Sequence, residues 1–454
     1  MTISATIHKA KEFSLFDFCK KRADKVQLFG KESLDEEGNV IPFIDQAALI
    51  THYLQLRNTN VKLSYKEKAE GILNLWYNFV REKQVKPHND YAFAEESTPA
   101  AMQGYLFPDL FQAPFQHQQM PKFKFIDLFA GIGGFRMAMQ NLGGECVFSS
   151  EIDEQARKTY YANYGDVPFG DITKESTKNC IPEGFDVLCA GFPCQAFSLA
   201  GKRLGFADET RGTLFFDVAE ILRRYQPKAF FLENVKGLVI HDKGRTFKTI
   251  LKTLDEVGYI VPDPEIVNAM FFGVPQHRER IYIVGFRKDL GINKDEFTYP
   301  EQKEVTKKWI DVREENPVPA KYYLSTTYID TLKRHKARHA AKGHGFGYDI
   351  IPDDGIAHAI VVGGMGRESN LVIDDRQKDL TPTTRIKGEV NKQGWRKMTP
   401  REWARLQGYP DNFKIVVADA SAYKQFGNSV AVPAIQATAN NLLKVLKNHG
   451  YIGK

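Results

Sequence analysis

The amino-acid sequence predicts an α/β fold, with a doubly wound sheet, a smaller domain of mixed structure and a helical N-terminal extension. Between residues 122 and 290, short apolar runs alternate with helical patterns, as in a series of βαβ units. A glycine-rich turn follows the first run, and polar side chains stand where later runs end. Because ligands of such sheets bind beyond the carboxyl ends of the strands, we expect the functional site there.

The composition is that of a globular protein with roughly two or three domains. The 454 residues are 43% hydrophobic and 26% charged, and no 18-residue apolar run indicates a membrane span. The N-terminus lacks the charged start and apolar core of a signal peptide. The five cysteines are scattered without a Cys-x-x-Cys pair, which argues against disulfides and structural zinc and fits a reducing cytoplasm. The net charge of +6 permits nucleic-acid binding without showing it.

The first part of the chain is predicted to be a helical extension followed by a linker. Residues 44–57 and 64–84 carry apolar side chains at spacings of three and four, which indicates amphipathic helices. Residues 87–121 are rich in Pro, Gln and Ala and lack periodicity, apart from an apolar stretch at 105–111. We interpret residues 1–86 as a helical extension that docks on the main body, and DNA contact is the alternative.

A nucleoside-binding turn is predicted at the start of the α/β domain. Residues 123–129 form a strand pattern, and a glycine turn at 130–135 leads into a helix that ends near Leu142. The dinucleotide fingerprint requires a third glycine where this sequence has Arg136. The turn therefore suits a nucleoside cofactor without a pyrophosphate better than NAD.

Acidic residues follow the next two predicted strands. Glu151 comes directly after the strand at 146–150, where a carboxylate can accept hydrogen bonds from ribose. Asp171 follows a strand that ends near Phe169, and it could accept a hydrogen bond from an adenine amino group with Ile172 against the ring. Each acid alone would be interpreted as a helix cap or a surface charge. Their repeated position at strand ends makes them candidates.

The candidate catalytic side chains belong to three later strands. Cys194 follows an apolar run and a Gly/Pro break, and a thiol on a loop held by a rigid sheet is a candidate nucleophile. Glu233 follows the next strand and is a candidate proton donor. Arg278 and Arg280 precede the last strand, and their spacing of two on an extended segment places them on one side. The alternatives are a buried structural cysteine, a structural glutamate and an ion pair at the sheet edge.

A series of motifs closely resembles the DNA (cytosine-5)-methyltransferase family in its bacterial form. They are FIDLFAGIGG at 125–134, GFPCQ at 191–195, RGTLF at 211–215, ENV at 233–235, QHRER at 276–280, TPRE at 399–402 and QFGNSV at 425–430. The resemblance covers roughly 122–290 and 396–446, and the group containing the Dcm enzyme looks nearest. It implies a Rossmann-like methyltransferase domain at 122–290, a target-recognition domain at 291–395 and a C-terminal segment at 396–454 that returns to the catalytic domain.

The resemblance also implies a reaction. A Cys194 thiolate would add to C6 of cytosine, so that C5 becomes nucleophilic and takes a methyl group from S-adenosylmethionine. Glu233 would hydrogen-bond or protonate the ring at N3, while Arg278 and Arg280 would hold the base and favour the thiolate. The target base must leave the duplex, and the loop at 199–206, with two glycines and two cations, fits a closing lid.

The other predicted site residues divide between the cofactor and DNA. By resemblance, the cofactor site is lined by Phe129, Gly131, Gly133, Glu151, Ile152, Asp171, Ile172, Leu214 and Asn428, and Pro193 is added to it. The predicted DNA contacts are Gln195, Ser198, Lys202, Arg203, Gln276, Lys333, Arg334 and Arg367, with Arg385 and Lys387 as further candidates. No metal site is predicted.

One position departs from the family pattern. Family members often carry a Thr-Leu pair in the target-recognition domain, where this chain aligns Ala359-Ile360. Either the alignment differs there or a phosphate contact comes from elsewhere, such as Thr383 or Thr384. No recognition sequence is predicted.

The leading hypothesis is a bacterial, cytoplasmic DNA cytosine-5 methyltransferase that protects DNA from a cognate restriction endonuclease. The nearest alternative is a tRNA cytosine-5 methyltransferase, but the long middle domain favours a duplex reader. A nicotinamide-dependent oxidoreductase is a second alternative, and the incomplete glycine fingerprint argues against it. A non-catalytic DNA-binding protein would not need Cys194.

Overall fold

The computed structural model describes residues 33–35, 38, 40–56, 61–82, 112–118, 120–193, 214–345, 347–363, 366–381 and 388–453. Its chain divides into two compact units. The first unit consists of Met1–His117 and Val147–Gly184, and the second consists of Gln118–Cys146 and Phe185–Lys454. The domain boundaries predicted from the sequence remain a prediction.

Helices and strands alternate through much of the described chain. The helices are α1 Phe43–Leu56, α2 Lys66–Glu82, α3 Gly134–Asn141, α4 Glu154–Tyr164, α5 Glu175–Lys178, α6 Leu214–Tyr225, α7 Arg245–Glu256, α8 Thr326–Ala340, α9 Pro400–Leu406, α10 Asp419–Asn428 and α11 Val432–Asn448. The strands are β1 Phe123–Leu128, β2 Gly144–Ser150, β3 Val187–Gly191, β4 Ala229–Val235, β5 Tyr259–Ile260, β6 Glu265–Asn268, β7 Gln276–His277, β8 Glu279–Arg287, β9 Ala357–His358, β10 Leu371–Ile373 and β11 Trp395–Lys397.

The second unit is built on a mixed sheet. Its strands are neighbours in the order β1, β3, β4, β8 and β5, and β6 also pairs with β8. The first three are parallel, as the alternating sequence predicts. β8 runs antiparallel to β4, β5 and β6. The predicted α/β class is confirmed, and the antiparallel β8 makes the sheet mixed rather than wholly parallel.

The first unit holds the two predicted N-terminal helices. α1 and α2 confirm the helices expected at 44–57 and 64–84, with ends shifted by one or two residues. The Trp76 indole N–H donates to Gln46 Oε1 (2.8 Å), and the Tyr53 hydroxyl donates to Glu70 Oε1 (2.6 Å). These two bonds join the helices through buried or half-buried polar groups, so the pair is specifically aligned.

The prediction of a strand that ends near Phe169 is wrong. Phe169 makes a single parallel bridge to Ser150 in place of a strand. Pro168, which precedes it, has no N–H to donate to a ladder, and Gly165 adopts a left-handed conformation (φ 85°). The chain is therefore extended here too briefly to form more than one bridge.

Residues between β8 and α9 form short elements around a small core. α8 packs through Ile329 and Leu332 against Leu324 and Leu371. β10 and β11 pair antiparallel, and β9 pairs parallel with β7. This is the mixed structure that the sequence predicts for the smaller domain.

The chain after β11 begins with a capped helix. The Thr399 hydroxyl accepts a hydrogen bond from the Glu402 N–H (3.1 Å), and the Glu402 carboxylate accepts one from the Thr399 N–H (2.7 Å). This capping box, with Pro400 in the first turn, explains why the Thr-Pro-Arg-Glu motif starts a helix. α11, predicted at 431–447, packs on α3. Within the described ranges, no helix has the length and apolarity needed to cross a membrane.

Candidate active site

The predicted glycine turn joins β1 to α3 through left-handed backbone. Phe129, Gly131 and Gly133 have φ values of 54°, 55° and 83°. Glycine adopts these angles readily, but Phe129 does so at a cost, which is typical of functional sites. A Cβ on the next residue, Gly134, would lie 2.7 Å from Val430 Cγ2. The glycine at position 134 therefore lets the QFGNSV segment approach the end of the turn closely.

β3 and β4 place Glu233 beside the exit toward Cys194. Gly191 is the register partner of Glu233, so the carboxyl ends of the two parallel strands lie side by side. The Asn234 amide donates to the Phe192 carbonyl (2.8 Å) and holds the chain where it leaves β3. β4 continues to Val235. Glu233 therefore lies inside the strand and not after it, which corrects the sequence prediction.

Glu233 forms an ion pair with Arg280. Arg280 Nε lies 3.1 Å from Glu233 Oε1, and their side chains are only 15% and 10% exposed. Antiparallel pairing of β4 with β8 creates this contact, because it sets Val235 opposite Arg280 and Glu233 opposite Tyr282. Burial and the Glu233 charge raise the pKa of Tyr282 well above its usual value. The carboxylate thus lies in a nearly dry environment with a cation at hydrogen-bonding distance.

Arg278 has different surroundings from Arg280, although only one residue separates them. It is buried, and it donates through Nη1 to the Ile360 carbonyl (3.0 Å) and through Nη2 to the Ser429 and Gly427 carbonyls (2.6 and 3.3 Å). Burial, together with the Arg280 charge, lowers the pKa of Arg278 to about 9, so the guanidinium stays charged at neutral pH. The Nη1 and Nη2 donors are thus directed at the protein backbone.

Gln276 extends the same buried network. Its amide donates to the Leu406 carbonyl (2.9 Å) and to Gln407 Oε1 (3.2 Å), and its Oε1 accepts from the Ile360 N–H (3.0 Å). Gln407 in turn donates to the Ser429 carbonyl (3.1 Å). Gln276 is fully buried, so a direct DNA contact would require this side chain to leave these bonds.

From the sequence, Ile360 is aligned with the leucine of the family's Thr-Leu pair, and this alignment stays a prediction. Its side chain is fully buried, and both of its backbone polar groups are bonded, to Gln276 and to Arg278. Thr383 and Thr384, the alternatives for a phosphate contact, lie outside the described residues, as do Arg385 and Lys387.

In the first unit, one backbone bridge pairs the two extended segments that lead to the candidate cofactor acids. The Glu151 N–H donates to the Phe169 carbonyl (2.8 Å), and the Phe169 N–H donates to the Ser149 carbonyl (2.8 Å). Glu151 and Asp171 therefore leave adjacent extended segments. Ile152 is 73% exposed, whereas Ile172, expected against an adenine ring, is only 4% exposed.

The remaining cofactor candidates lie in the second unit. Leu214 is half-buried at the start of α6, Asn428 is exposed at the end of α10, and Pro193 is exposed. Cys194, Gln195, Ser198, Lys202, Arg203 and the expected lid at 199–206 lie outside the described residues. Their roles stay predictions.

The basic helix α8 carries two of the predicted DNA contacts, Lys333 and Arg334, on its exposed side. Lys333 and Arg334 are exposed, and the Lys333 ammonium lies 5.5 Å from the centroid of the Trp395 ring. Arg367, also exposed, lies 5.5 Å from the Tyr423 ring centroid. Cation–π contacts with aromatic rings thus hold Lys333 and Arg367 in place, while the charged groups of both side chains stay at the surface.

The geometry of the second unit agrees with what comparison with known proteins finds. Residues 123–444 match the family model of C-5 cytosine-specific DNA methylases. The chain belongs to this family.

Relatives and solved structures agree with this family. The type II methyltransferase M.HpaII of Haemophilus parainfluenzae is 73% identical over 328 residues, which covers 72% of this chain and 91% of the relative. M1.ScrFI of Lactococcus lactis subsp. cremoris is 47% identical over 342 residues (75% and 82%), and M.SsoII of Shigella sonnei is 41% identical over 395 residues (85% and 99%). The structure of S. pombe Dnmt2 methyltransferase, at 18% identity and a TM-score of 0.53, covers 71% of this chain and 99% of its own and supports the fold alone.

Membership of the C-5 cytosine-specific DNA methylases confirms the predicted family, reaction class and Rossmann-like architecture. Members of this family use S-adenosylmethionine. The tRNA alternative has less support, since the family and the relatives named above are DNA methylases or type II methyltransferases. Membership also argues against the oxidoreductase and the non-catalytic DNA-binding protein.

Sequence reasoning missed a buried ion-pair network around Glu402 of the TPRE motif. Arg396 makes a two-pronged ion pair with Glu402 (2.8 Å for both contacts) and also contacts Asp374 (3.1 Å), and all three side chains are fully buried. Burial alone would raise the pKa of Asp374, but the hydrogen bond from Arg376 and the charge of Arg396 outweigh it and lower that pKa to about 2. The TPRE motif includes Glu402, but its partner Arg396 lies outside the motif, so the sequence did not indicate the ion pair.

Proposed function

We propose that this chain transfers a methyl group from S-adenosylmethionine to C5 of a flipped-out cytosine in a specific duplex DNA sequence, through a covalent bond between Cys194 and C6. The observation that carries the proposal is the Glu233–Arg280 pair at the carboxyl ends of β3 and β4, next to the segment that leads to Cys194. A thiol, a carboxylate and a guanidinium are the groups that this addition requires.

The proposed roles follow from charge. The Cys194 sulfur donates an electron pair to C6, and the electrons of the C5=C6 bond shift toward the ring carbonyl and N3. Glu233, when protonated, donates a hydrogen bond to N3 as that charge develops, and Arg280 holds Glu233 and the base oxygen. C5 would take the methyl group as the bond between that group and sulfur breaks, with S-adenosylhomocysteine as the leaving group. Solvent would take the proton from C5, and the electrons of that C–H bond would re-form the C5=C6 bond and expel the Cys194 thiolate. N3 would return the shared proton to Glu233, which restores the enzyme.

S-adenosylmethionine, when bound, supplies the methyl group as an electrophile. The left-handed turn at Phe129, Gly131 and Gly133 gives a nucleoside close access to the backbone. We assign the ribose hydroxyls to Glu151 and the adenine amino group to Asp171. By resemblance to the family, we also assign Ile152, Ile172, Pro193, Leu214 and Asn428 to the cofactor, and we propose no metal.

DNA is the proposed partner of the exposed basic residues. Lys333, Arg334 and Arg367 would bind phosphates or bases at the surface of the smaller domain. We also propose a cognate restriction endonuclease as a functional partner, because relatives are named type II methyltransferases. A methylase that protects cellular DNA would act in the bacterial cytoplasm.

The test is methyl transfer from labelled S-adenosylmethionine to duplex DNA and, in parallel, to tRNA, with bisulfite sequencing of the products. We expect methylcytosine at one short DNA motif. Cys194→Ser should abolish transfer and leave DNA binding intact, because it removes the nucleophile and little else. Near-normal turnover by this variant would refute the covalent route, and methylation of tRNA alone would replace the substrate.

A further inference from the structure

Helix α1 is buried on more sides than its partner helix can cover. Ten of its 14 residues are buried, and they include the polar Gln46, Thr51 and His52. An ordinary surface helix has one apolar stripe, so a helix buried all round must contact more than one neighbour. α2 provides one contact through Trp76 and Gln46. The other contact is the segment of the first unit that precedes the candidate adenine acid.

Polar groups of α1 bind that segment. The Val167 N–H donates to Thr51 Oγ1 (3.0 Å), while the same hydroxyl donates to the Ala47 carbonyl (2.8 Å). His52 Nε2 lies 3.3 Å from Asp166 Oδ2, and both side chains are fully buried. A buried hydroxyl that is bonded on both sides fixes the backbone that it contacts.

A second contact lies at the start of α1. Asp45 Oδ1 accepts a hydrogen bond from Arg157 of α4 (2.8 Å), and Arg157 also donates to the Ile44 carbonyl (3.2 Å). A Cβ on Gly170 would lie 2.8 Å from Asp45 Oδ1. The absence of a side chain at Gly170 therefore lets α1 reach the residue next to Asp171.

Aromatic packing connects these contacts to the other candidate acid. The Phe169 ring lies 4.7 Å from the His52 ring and stacks on Phe148 at 4.8 Å, measured between centroids. The Phe169 backbone also holds Glu151 by the bridge described above. Contacts from α1 thus hold the backbone of 166–170, and that backbone carries Asp171 and supports Glu151.

We propose that Asp45, Thr51 and His52 are positioning residues for S-adenosylmethionine, acting through the segment 166–170. The inference rests on the proposed cofactor roles of Glu151 and Asp171. α1 lies outside residues 123–444, which match the family model, so the chain adds a support that this model does not include. The contacts of α1 thus preorganise Glu151 and Asp171 for cofactor binding.

The first test compares two substitutions at one position. Thr51→Val keeps the volume and leaves the Val167 N–H without its acceptor, whereas Thr51→Ser keeps the acceptor. Calorimetric binding of S-adenosylmethionine and S-adenosylhomocysteine to the full chain should weaken by roughly tenfold in Thr51→Val, the equivalent of one lost buried hydrogen bond. Thr51→Ser should bind within about threefold of the wild type, because a lost methyl group alone costs less.

The second test uses neighbouring residues with different partners. Asp45→Asn weakens the contact to Arg157. Gln46→Met removes the hydrogen bonds that Gln46 makes with Trp76 and with the Ile41 carbonyl, without touching 166–170. We expect Asp45→Asn to raise the KM for S-adenosylmethionine several-fold, with kcat and the KM for DNA unchanged, and Gln46→Met to leave all three unchanged. Backbone hydrogen exchange at 164–173 should be faster than in the wild type in Asp45→Asn and Thr51→Val, but not in Gln46→Met or Thr51→Ser.

The outcomes separate this inference from the proposed function. If the wild type binds neither S-adenosylmethionine nor S-adenosylhomocysteine, the proposed function falls and the positioning role falls with it. If the wild type binds and both Thr51→Val and Asp45→Asn bind equally well, only the positioning role is overturned. The positioning role is also overturned if Thr51→Val or Asp45→Asn lowers kcat or the active fraction while the KM for S-adenosylmethionine is unchanged. It is overturned as well if Gln46→Met has the same effect as Asp45→Asn. Either result indicates general destabilisation.

Discussion

The segment Gln276 to Arg280 and the helix α8 both attracted functional predictions because of their basic residues, yet they use charge in opposite ways. Arg278 is buried and bonded to three backbone carbonyls, and Arg280 is paired with Glu233. Lys333 and Arg334 are exposed on a helix that buries only Ile329 and Leu332. The comparison teaches that a buried arginine such as Arg278 is bonded to the protein backbone, whereas a cation on a sparsely buried helix remains available to phosphate.

Removing a buried cation should have the largest effect on stability. Arg278→Gln would leave the Ile360 and Gly427 carbonyls without this donor and the Ser429 carbonyl with Gln407 alone, at a cost of about 3 kcal/mol or more. We expect a clearly lower midpoint in urea unfolding and loss of activity as a consequence. Arg280→Gln serves as the control, because its effect should fall on turnover more than on the midpoint. If Arg278→Gln unfolds at the wild-type midpoint, the network does not hold this edge together.

The next largest effect is expected on the rate of methyl transfer, without a matching change in folding stability. Glu233→Gln keeps the shape of the side chain but removes the group proposed to protonate N3, so single-turnover methyl transfer should slow by roughly a hundredfold or more. DNA affinity should be retained. Glu279→Gln is the matched control, since Glu279 pairs with exposed Lys236. An unchanged rate in Glu233→Gln would remove this residue from the mechanism.

Local sequence patterns predicted much of this architecture. The strand and turn around Gly131, the parallel strands before Cys194, and helices α1, α2 and α11 follow from periodicity and glycine positions. The prediction went wrong where local rules compete, as with Pro168 in the strand expected before Asp171. Pairing of β4 with β8 could not be foreseen either, although it decides that Glu233 lies within a strand.

The partners of buried polar groups were beyond sequence reasoning for a physical reason. Arg278 donates to Ser429, 151 residues later, and Thr51 accepts from Val167, 116 residues later. Such bonds depend on tertiary packing, and no spacing rule connects their members. The motifs nevertheless identified the family, because the chemistry of a reaction fixes residue types and order even where it leaves contacts unspecified.

The smallest effect is expected on α8, and it should appear as salt dependence. Lys333→Gln and Arg334→Gln would each remove one proposed phosphate contact, which lowers the slope of log affinity against log salt by about 0.9. Unfolding should not change, because both side chains are exposed. Lys252→Gln is the charge-matched control, since Lys252 is exposed on α7 and pairs with Glu256. If all three variants keep the wild-type slope, α8 does not face DNA, and the basic run is an ordinary solvated helix face. If only the α8 variants lose slope, exposure separates the cations that bind DNA phosphates from Arg278, which is bonded inside the protein.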